Sequence, residues 1–183
     1  EDRPDTIARQ YRDRVAFTVN QNCGIYCRHC FRKELVVDGD LKLDFNIDEG
    51  LTWISMHPEV RDVLITGGDP LLLPDEQISY LIDRLRAMPH IEIIRFGSRT
   101  PIVLPQRFTE NLKKILGEYH KVPIWINTQC NHPKELTEEV AWAVYDLMRC
   151  GVNVGNQAVL LKGINDEVAT FRELHQKLLR TRI

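Results

Sequence analysis

The chain has 183 residues, 43% of them hydrophobic and 27% charged, which suits one globular domain. Lys plus Arg number 24 and Asp plus Glu 26, a formal net charge of −2. That balance gives no electrostatic case for a nucleic-acid partner or a membrane surface. No apolar run approaches the roughly 18 residues that span a bilayer, and no leader pattern is read at the start, so a cytoplasmic protein is expected. The five cysteines are odd in number, which argues against a disulfide framework and for free thiols in a reducing compartment.

In chain order, residues 1–13 are polar and read as irregular or helical. Arg14–Asn20 is apolar enough for a first buried strand, with Val15–Asn20 as its body. Three thiols follow at Cys23, Cys27 and Cys30, then Phe31–Glu34 and a charged loop at Asp38–Asp40. Asn46–Met56 carries Ile47, Leu51 and Ile54 at helical spacing. Asp62–Thr66 is a second strand, closed by Gly67-Gly68-Asp69-Pro70, and Pro74–Met88 is a helix with proline at its start. A strand at Ile91–Phe96 ends in Gly97–Pro101, and a helix follows over Thr109–Tyr119. Val122–Asn127 is the fourth strand, and Thr137–Cys150 a helix with Thr137 as N-cap. A fifth strand is placed within Val152–Leu161 and a fifth helix over Asp166–Arg180, with a further strand starting at Arg180–Ile183. Cys130 and Cys150 read as structural thiols.

Strand and helix alternate with a period of about 30 residues, which predicts a parallel sheet with right-handed crossovers. The fold class is α/β. An open doubly wound sheet and a partial (β/α) TIM-like barrel both fit the alternation. The polar clusters Asn22–Cys30, Gly67–Asp69, Ser98–Thr100, Asn127–Gln129 and Asn156–Gln157 follow five successive strands, which favours barrel logic.

The thiol spacing Cys23-x3-Cys27-x2-Cys30 lets a short loop wrap one face of a metal cluster. A [4Fe–4S] cluster usually takes four thiolates, so three leave one iron open to another ligand. The competing reading is a structural zinc with His29 as fourth ligand, although zinc motifs usually split their ligands into two separated pairs. Gly67-Gly68-Asp69 adds two glycines that allow close backbone approach, and a carboxylate, at the end of the next strand. On its own that stretch would be a simple turn.

A Cys-x3-Cys-x2-Cys loop after the first strand of a β/α repeat resembles the radical S-adenosylmethionine (SAM) superfamily. The resemblance implies that Cys23, Cys27 and Cys30 hold a [4Fe–4S] cluster whose open iron binds SAM. One electron then generates a 5′-deoxyadenosyl radical. It further implies that His29 lies beside the adenine and that Gly67, Gly68 and Asp69 receive the SAM amino group. An external electron donor is implied as well.

A narrower resemblance is to the lysine 2,3-aminomutase family. It is carried by Tyr11–Val15, Tyr26–Arg32, Ile65–Leu72, Ser98–Pro101, Asn131–Pro133 and Asn156–Asp166, which span most of the chain. The family moves an amino group from the α to the β carbon of an amino acid with the help of pyridoxal 5′-phosphate (PLP). The resemblance implies that Arg14 sits near the PLP phosphate with Tyr11 packed beside that cofactor. It gives Arg32 the substrate carboxylate and has Gln157 face the cofactors. Lysine is the default substrate, with glutamate and arginine as alternatives.

Three positions depart from the family pattern. Gln10 stands where an arginine is common, Gln129 where a histidine is common, and Glu167 where some members have a zinc-binding cysteine, so that zinc is not expected. The PLP lysine and the residues that select the side chain are expected beyond Ile183, so no catalytic residue is assigned within the chain. Residues 1–14 are read as an N-terminal flank, and 15–183 as a radical SAM core cut before its last strand or strands. A homo-oligomer of the full-length form is left open. Two other readings compete: a radical SAM enzyme that does not use PLP, and a metal-stabilised binding or electron-transfer module.

Overall fold

The computed structural model describes residues 3–33 and 45–183; the charged loop at Asp38–Asp40 lies outside them. Six strands form one sheet in sequence order: β1 Ile7–Tyr11, β2 Arg14–Thr18, β3 Asp62–Thr66, β4 Ile93–Gly97, β5 Ile124–Thr128 and β6 Asn153–Asn156. Neighbours from β2 to β6 pair in parallel. The helices are α1 Ile47–Ser55, α2 Asp75–Arg86, α3 Thr100–Val103, α4 Glu110–Gly117, α5 Glu138–Arg149 and α6 Val168–Arg180. β1 and β6 do not pair with each other, so the sheet is an open, partial barrel. Among the described residues no helix is long and apolar enough to cross a membrane.

Local chemistry sets the helix starts. Asn46, Thr109 and Thr137 each accept a backbone N–H three residues on, from Glu49, Leu112 and Val140 respectively. The N-cap expected at Thr137 is therefore present.

Two expectations are corrected. Residues 7–11 form a strand, not a helix or an irregular flank, and it pairs antiparallel to β2 with Ile7 opposite Phe17. The segment reads as polar because β1 is an edge: of its five residues only Ile7 is buried. The fifth expected strand is found within Val152–Leu161, and it stops at Asn156. Beyond it, side chains take the place of ladder partners, since Val159 N–H donates to Asn131 Oδ1 and Leu161 N–H to Asn165 Oδ1. Second, no strand starts at Arg180. α6 runs through that residue and Thr181–Ile183 turn away, with Arg182 at φ 63°.

The core lies between the sheet and its helices. Phe17, Ile65, Phe96 and Ile126 point to that side and are fully buried against Leu51, Ile54, Ile78, Leu81 and Leu112, among others. Burying such side chains stabilises by about 1.5–3 kcal/mol each. Alternate residues face the concave side. Register places Ala16, Leu64, Arg95, Trp125 and Asn153 in one row there. Trp125 keeps 39% of its surface exposed on that face. The strands therefore alternate more than their apolar sequence suggested, because helices cover only one side.

Candidate active site at the carboxyl edge of the sheet

A cavity of about 440 Å³ opens where β2 to β6 end. Leu64, Thr66, Gly97 and Asn127 of the concave face form its floor. Cys23, Cys27 and Cys30 line one wall, each half-buried and free. Cys30 N–H donates to the Cys27 carbonyl at 3.0 Å, which closes a tight turn between two of the thiols.

The wall is held by its own backbone. Gly68 N–H donates to Asn20 O and Asp69 N–H to Asn22 O, at 2.8 and 2.6 Å. Asn20 Nδ2 donates back to the Asp69 carbonyl at 2.9 Å. A Cβ on Gly67 would lie 2.2 Å from Asn20 O, and one on Gly68 2.3 Å from Asn22 O. Gly67 also has φ 148°, a conformation that L side chains rarely adopt. The close approach foreseen for these glycines is thus to the chain itself, at the segment that leads into Cys23. Their remaining backbone faces the cavity.

Asp69 is 5% exposed, and its carboxylate accepts four protons in hydrogen bonds. Ser98 Oγ and Leu71 N–H donate to Oδ1; Arg99 N–H and Thr100 N–H donate to Oδ2. Burial pushes its pKa above the ordinary carboxylate value, against the pull of those donors. The carboxylate is therefore spent on tying the β3 end to the β4 end.

Burial is also the first cause that raises the Cys23 thiol to about 11, followed by the negative charge of Asp69 and the neighbouring Cys30 and Cys27. The Cys23 thiol is thus held protonated by its surroundings, and a bound metal centre would supply the positive charge that favours its thiolate. Among the described residues no three His, Cys, Asp or Glu side chains gather tightly enough for a single metal ion. Tetrahedral zinc would need its sulfurs roughly 3.8 Å apart. A cubane binds each thiolate through a different iron, so its sulfurs stand wider, and the donor set of three soft sulfurs fits it.

His29, Arg32 and Gln157 line the same cavity. His29 Nε2 lies 3.3 Å from Gln129 Oε1, so two residues of the expected site region, one of them a departure from the family pattern, are paired. Arg32 is half-buried, and burial lowers its pKa. Its one hydrogen bond among the described residues goes to Thr66 Oγ1 at 3.4 Å, with no carboxylate in ion-pair reach.

Two expected site residues lie elsewhere. Arg14 begins β2 and pairs in register with Asp62, on the same concave face but outside the cavity lining. It donates to Asp13 at 3.3 Å and sits 5.0 Å from the Tyr11 ring centre, so those two residues do adjoin. Cys130 is fully buried, its thiol raised to about 12 mainly by burial, as a structural thiol should be. Cys150 is half-buried at the end of α5.

Two arginines escaped the sequence reading. Arg99 lines the cavity and donates to Cys27 Sγ at 2.9 Å. Arg95 lies on the concave face and donates to Asp62 at 2.8 Å. The first stood inside a motif quoted without a role. The second was visible as a charge between Ile94 and Phe96 in an apolar strand.

The fold and the cavity define a class: parallel β/α repeats whose chemistry gathers at the strand ends around a three-thiol loop. A family model described as the Radical SAM superfamily matches residues 17–174, and the chain belongs to that superfamily. Membership implies a [4Fe–4S] cluster and SAM. The chain is 46% identical over 178 residues to the L-lysine 2,3-aminomutase of Clostridium subterminale, covering 97% of this chain and 42% of that protein. It is 47% identical over 179 residues to a putative L-lysine 2,3-aminomutase of Aquifex aeolicus, covering 97% and 48%. It is 42% identical over 178 residues to the glutamate 2,3-aminomutase of Clostridioides difficile, covering 97% and 42%. The chain thus spans less than half the length of these relatives.

Proposed function

We propose that residues 15–183 are the cluster- and SAM-binding part of a PLP-dependent amino-acid 2,3-aminomutase, an isomerase with lysine as its first candidate substrate. The observation that carries this reading is Arg32, a half-buried guanidinium in the cavity beside Cys30 with no carboxylate partner among the described residues. A buried cation without a counter-ion favours an anionic ligand, and a planar guanidinium suits a carboxylate. The names of the relatives support the reaction class.

Cys23, Cys27 and Cys30 would hold the cluster, with SAM against His29 and the backbone of Gly67–Asp69. When bound, the cluster and SAM would supply a 5′-deoxyadenosyl radical, and PLP would carry the migrating nitrogen. Arg32 orients the amino acid by its carboxylate. Gln157, at the cavity rim, faces the cofactors. Arg14, beside Tyr11, stands four residues and about 13 Å before the end of β2 on the same face, and offers a cation for a phosphate there.

The test is the full-length protein, reconstituted anaerobically with iron, sulfide, SAM and PLP and offered lysine, glutamate or arginine. Formation of a β-amino acid from one of them by NMR is expected. Glutamate is the second candidate, since one relative bears that name. SAM cleavage with no PLP bound would leave a radical SAM enzyme of another kind.

A further inference from the structure

Arg99 is the side chain that joins the thiol wall to the opposite rim. It caps the first turn after β4, and its three nitrogens serve three different elements. Nε donates to the Gln129 carbonyl at 3.0 Å. Nη2 meets Glu135 Oε2 at 2.5 Å. Nη1 donates to Cys27 Sγ at 2.9 Å. Its backbone N–H is fixed in turn by Asp69. Glu135 is equally anchored, because its other oxygen accepts Asn131 N–H and His132 N–H at 2.8 and 2.9 Å. The side chain is only 17% exposed, so the guanidinium has little water to turn toward.

We infer that Arg99 is a positioning residue that sets the reduction potential of the cluster through a charge-assisted hydrogen bond to the Cys27 sulfur; this rests on the reading that Cys27 is a cluster ligand. The physical argument is one of charge. A thiolate bound to iron remains a hydrogen-bond acceptor, and reduction of the cluster adds negative charge that spreads onto its sulfurs. A fixed cationic donor stabilises the reduced form more than the oxidised form, so it raises the potential. Hydrogen bonds to the sulfurs are one of the levers by which a protein tunes such a centre. Glu135 holds the guanidinium in place and offsets part of its charge. The donor is preorganised, since Gln129 and Glu135 fix the fork whether or not the sulfur is there. The arrangement also couples Cys27 to the loops after β4 and β5, so a shift of either loop would be felt at the sulfur.

The test is an EPR-monitored reductive titration of the full chain, reconstituted anaerobically, without SAM. Wild type, Arg99→Met and Arg99→Lys are compared at matched iron and sulfide content. Arg99→Met is expected to keep about four irons per chain and to shift the midpoint to a more negative potential. Arg99→Lys, which keeps the charge without the fork, should fall between the two. An unchanged midpoint in Arg99→Met at full iron content would overturn the inference. Should that variant not fold, wild-type chain labelled with ¹⁵N-arginine decides the matter. Pulsed EPR of its reduced cluster should show a ¹⁵N coupling, and its absence overturns the proposal. A wild-type chain that takes up zinc and no iron overturns the cluster reading, and this inference with it. Iron and sulfide analysis therefore separates the two failures.

Discussion

The Ser98 hydroxyl donates to the Asp69 carboxylate at 2.6 Å, and through that bond the end of β4 is fixed to the end of β3. The bond is buried at both ends, with Ser98 3% and Asp69 5% exposed. Three backbone N–H groups complete the carboxylate's shell. Asp69→Asn replaces one acceptor with an NH2 group among donors, leaving buried N–H groups unpaired. A loss of about 1–3 kcal/mol in unfolding free energy is expected, read from urea denaturation. Ser98→Ala should cost less, since only one of four donors is removed.

The same carboxyl gives a pH dependence with a definite sign. Burial holds the folded pKa of Asp69 above the ordinary value of 3.8. Between 3.8 and that raised value, the folded chain binds a proton that the unfolded chain has lost. The contribution of Asp69 to stability is therefore full below the unfolded pKa and declines as pH rises through the folded one. A ¹³C NMR titration of the Asp69 carboxyl should place its midpoint above 3.8; a midpoint at or below it would show that the four donors outweigh burial.

The two glycines before Asp69 are predicted to be intolerant of a single methyl group. Gly67→Ala places Cβ 2.2 Å from a backbone oxygen at φ 148°, and Gly68→Ala places it 2.3 Å from another. Neither neighbour is a flexible side-chain end, so the loop itself must shift. Each variant should lose about 1–3 kcal/mol. Gly155→Ala in β6 is the control: its Cβ meets nothing within 4 Å, and its stability should stay within about 0.5 kcal/mol of wild type.

How far the sequence announced this arrangement depends on what each signal measures. The five parallel strands were legible because Val15, Phe17, Ile65, Phe96 and Ile126 are apolar for a reason the sheet enforces, namely the helix layer behind them. β1 was not, because its pairing is made by backbone groups and of its side chains only Ile7 is buried. The thiols, His29, Arg32, Gly67–Asp69 and Gln157 were each visible as residue types at strand ends, and the cavity gathers them. What composition could not show is who satisfies whom. Asp69 read as a free carboxylate and is bound four times over, whereas Arg99 read as a motif letter and reaches a sulfur. Such pairings span tens of residues, 72 in the case of Cys27 and Arg99, and depend on loop geometry that no local pattern encodes.

Cysteine replacements should divide cleanly by position. Cys27→Ala is expected to abolish cluster assembly, measured as iron and sulfide per chain after anaerobic reconstitution. Cys150→Ala should leave iron content near wild type, because that thiol lies at the end of α5, outside the cavity lining. Cys130→Ala should also keep its iron while losing stability, since a fully buried side chain is trimmed. Equal loss of iron in Cys27→Ala and Cys150→Ala would mean that the ligands are misassigned.

Arg32 offers the sharpest functional prediction. Its guanidinium is half-buried, bonded weakly to Thr66 at 3.4 Å, and faces a cavity with no carboxylate in ion-pair reach among the described residues. A charge-assisted hydrogen bond to a ligand carboxylate would be worth about 1.5–3 kcal/mol. Arg32→Met in the full-length protein should therefore raise the KM for the amino acid by roughly 10- to 150-fold. Iron content and SAM cleavage in the absence of amino acid should remain near wild type, because the side chain contacts none of the three thiols through a hydrogen bond. Arg32→Lys should recover only part of the loss, since an ammonium cannot present the two parallel N–H groups of the fork. An Arg32→Met protein with unchanged KM for every amino acid tested would remove Arg32 from the substrate site and leave it as a structural cation beside Thr66.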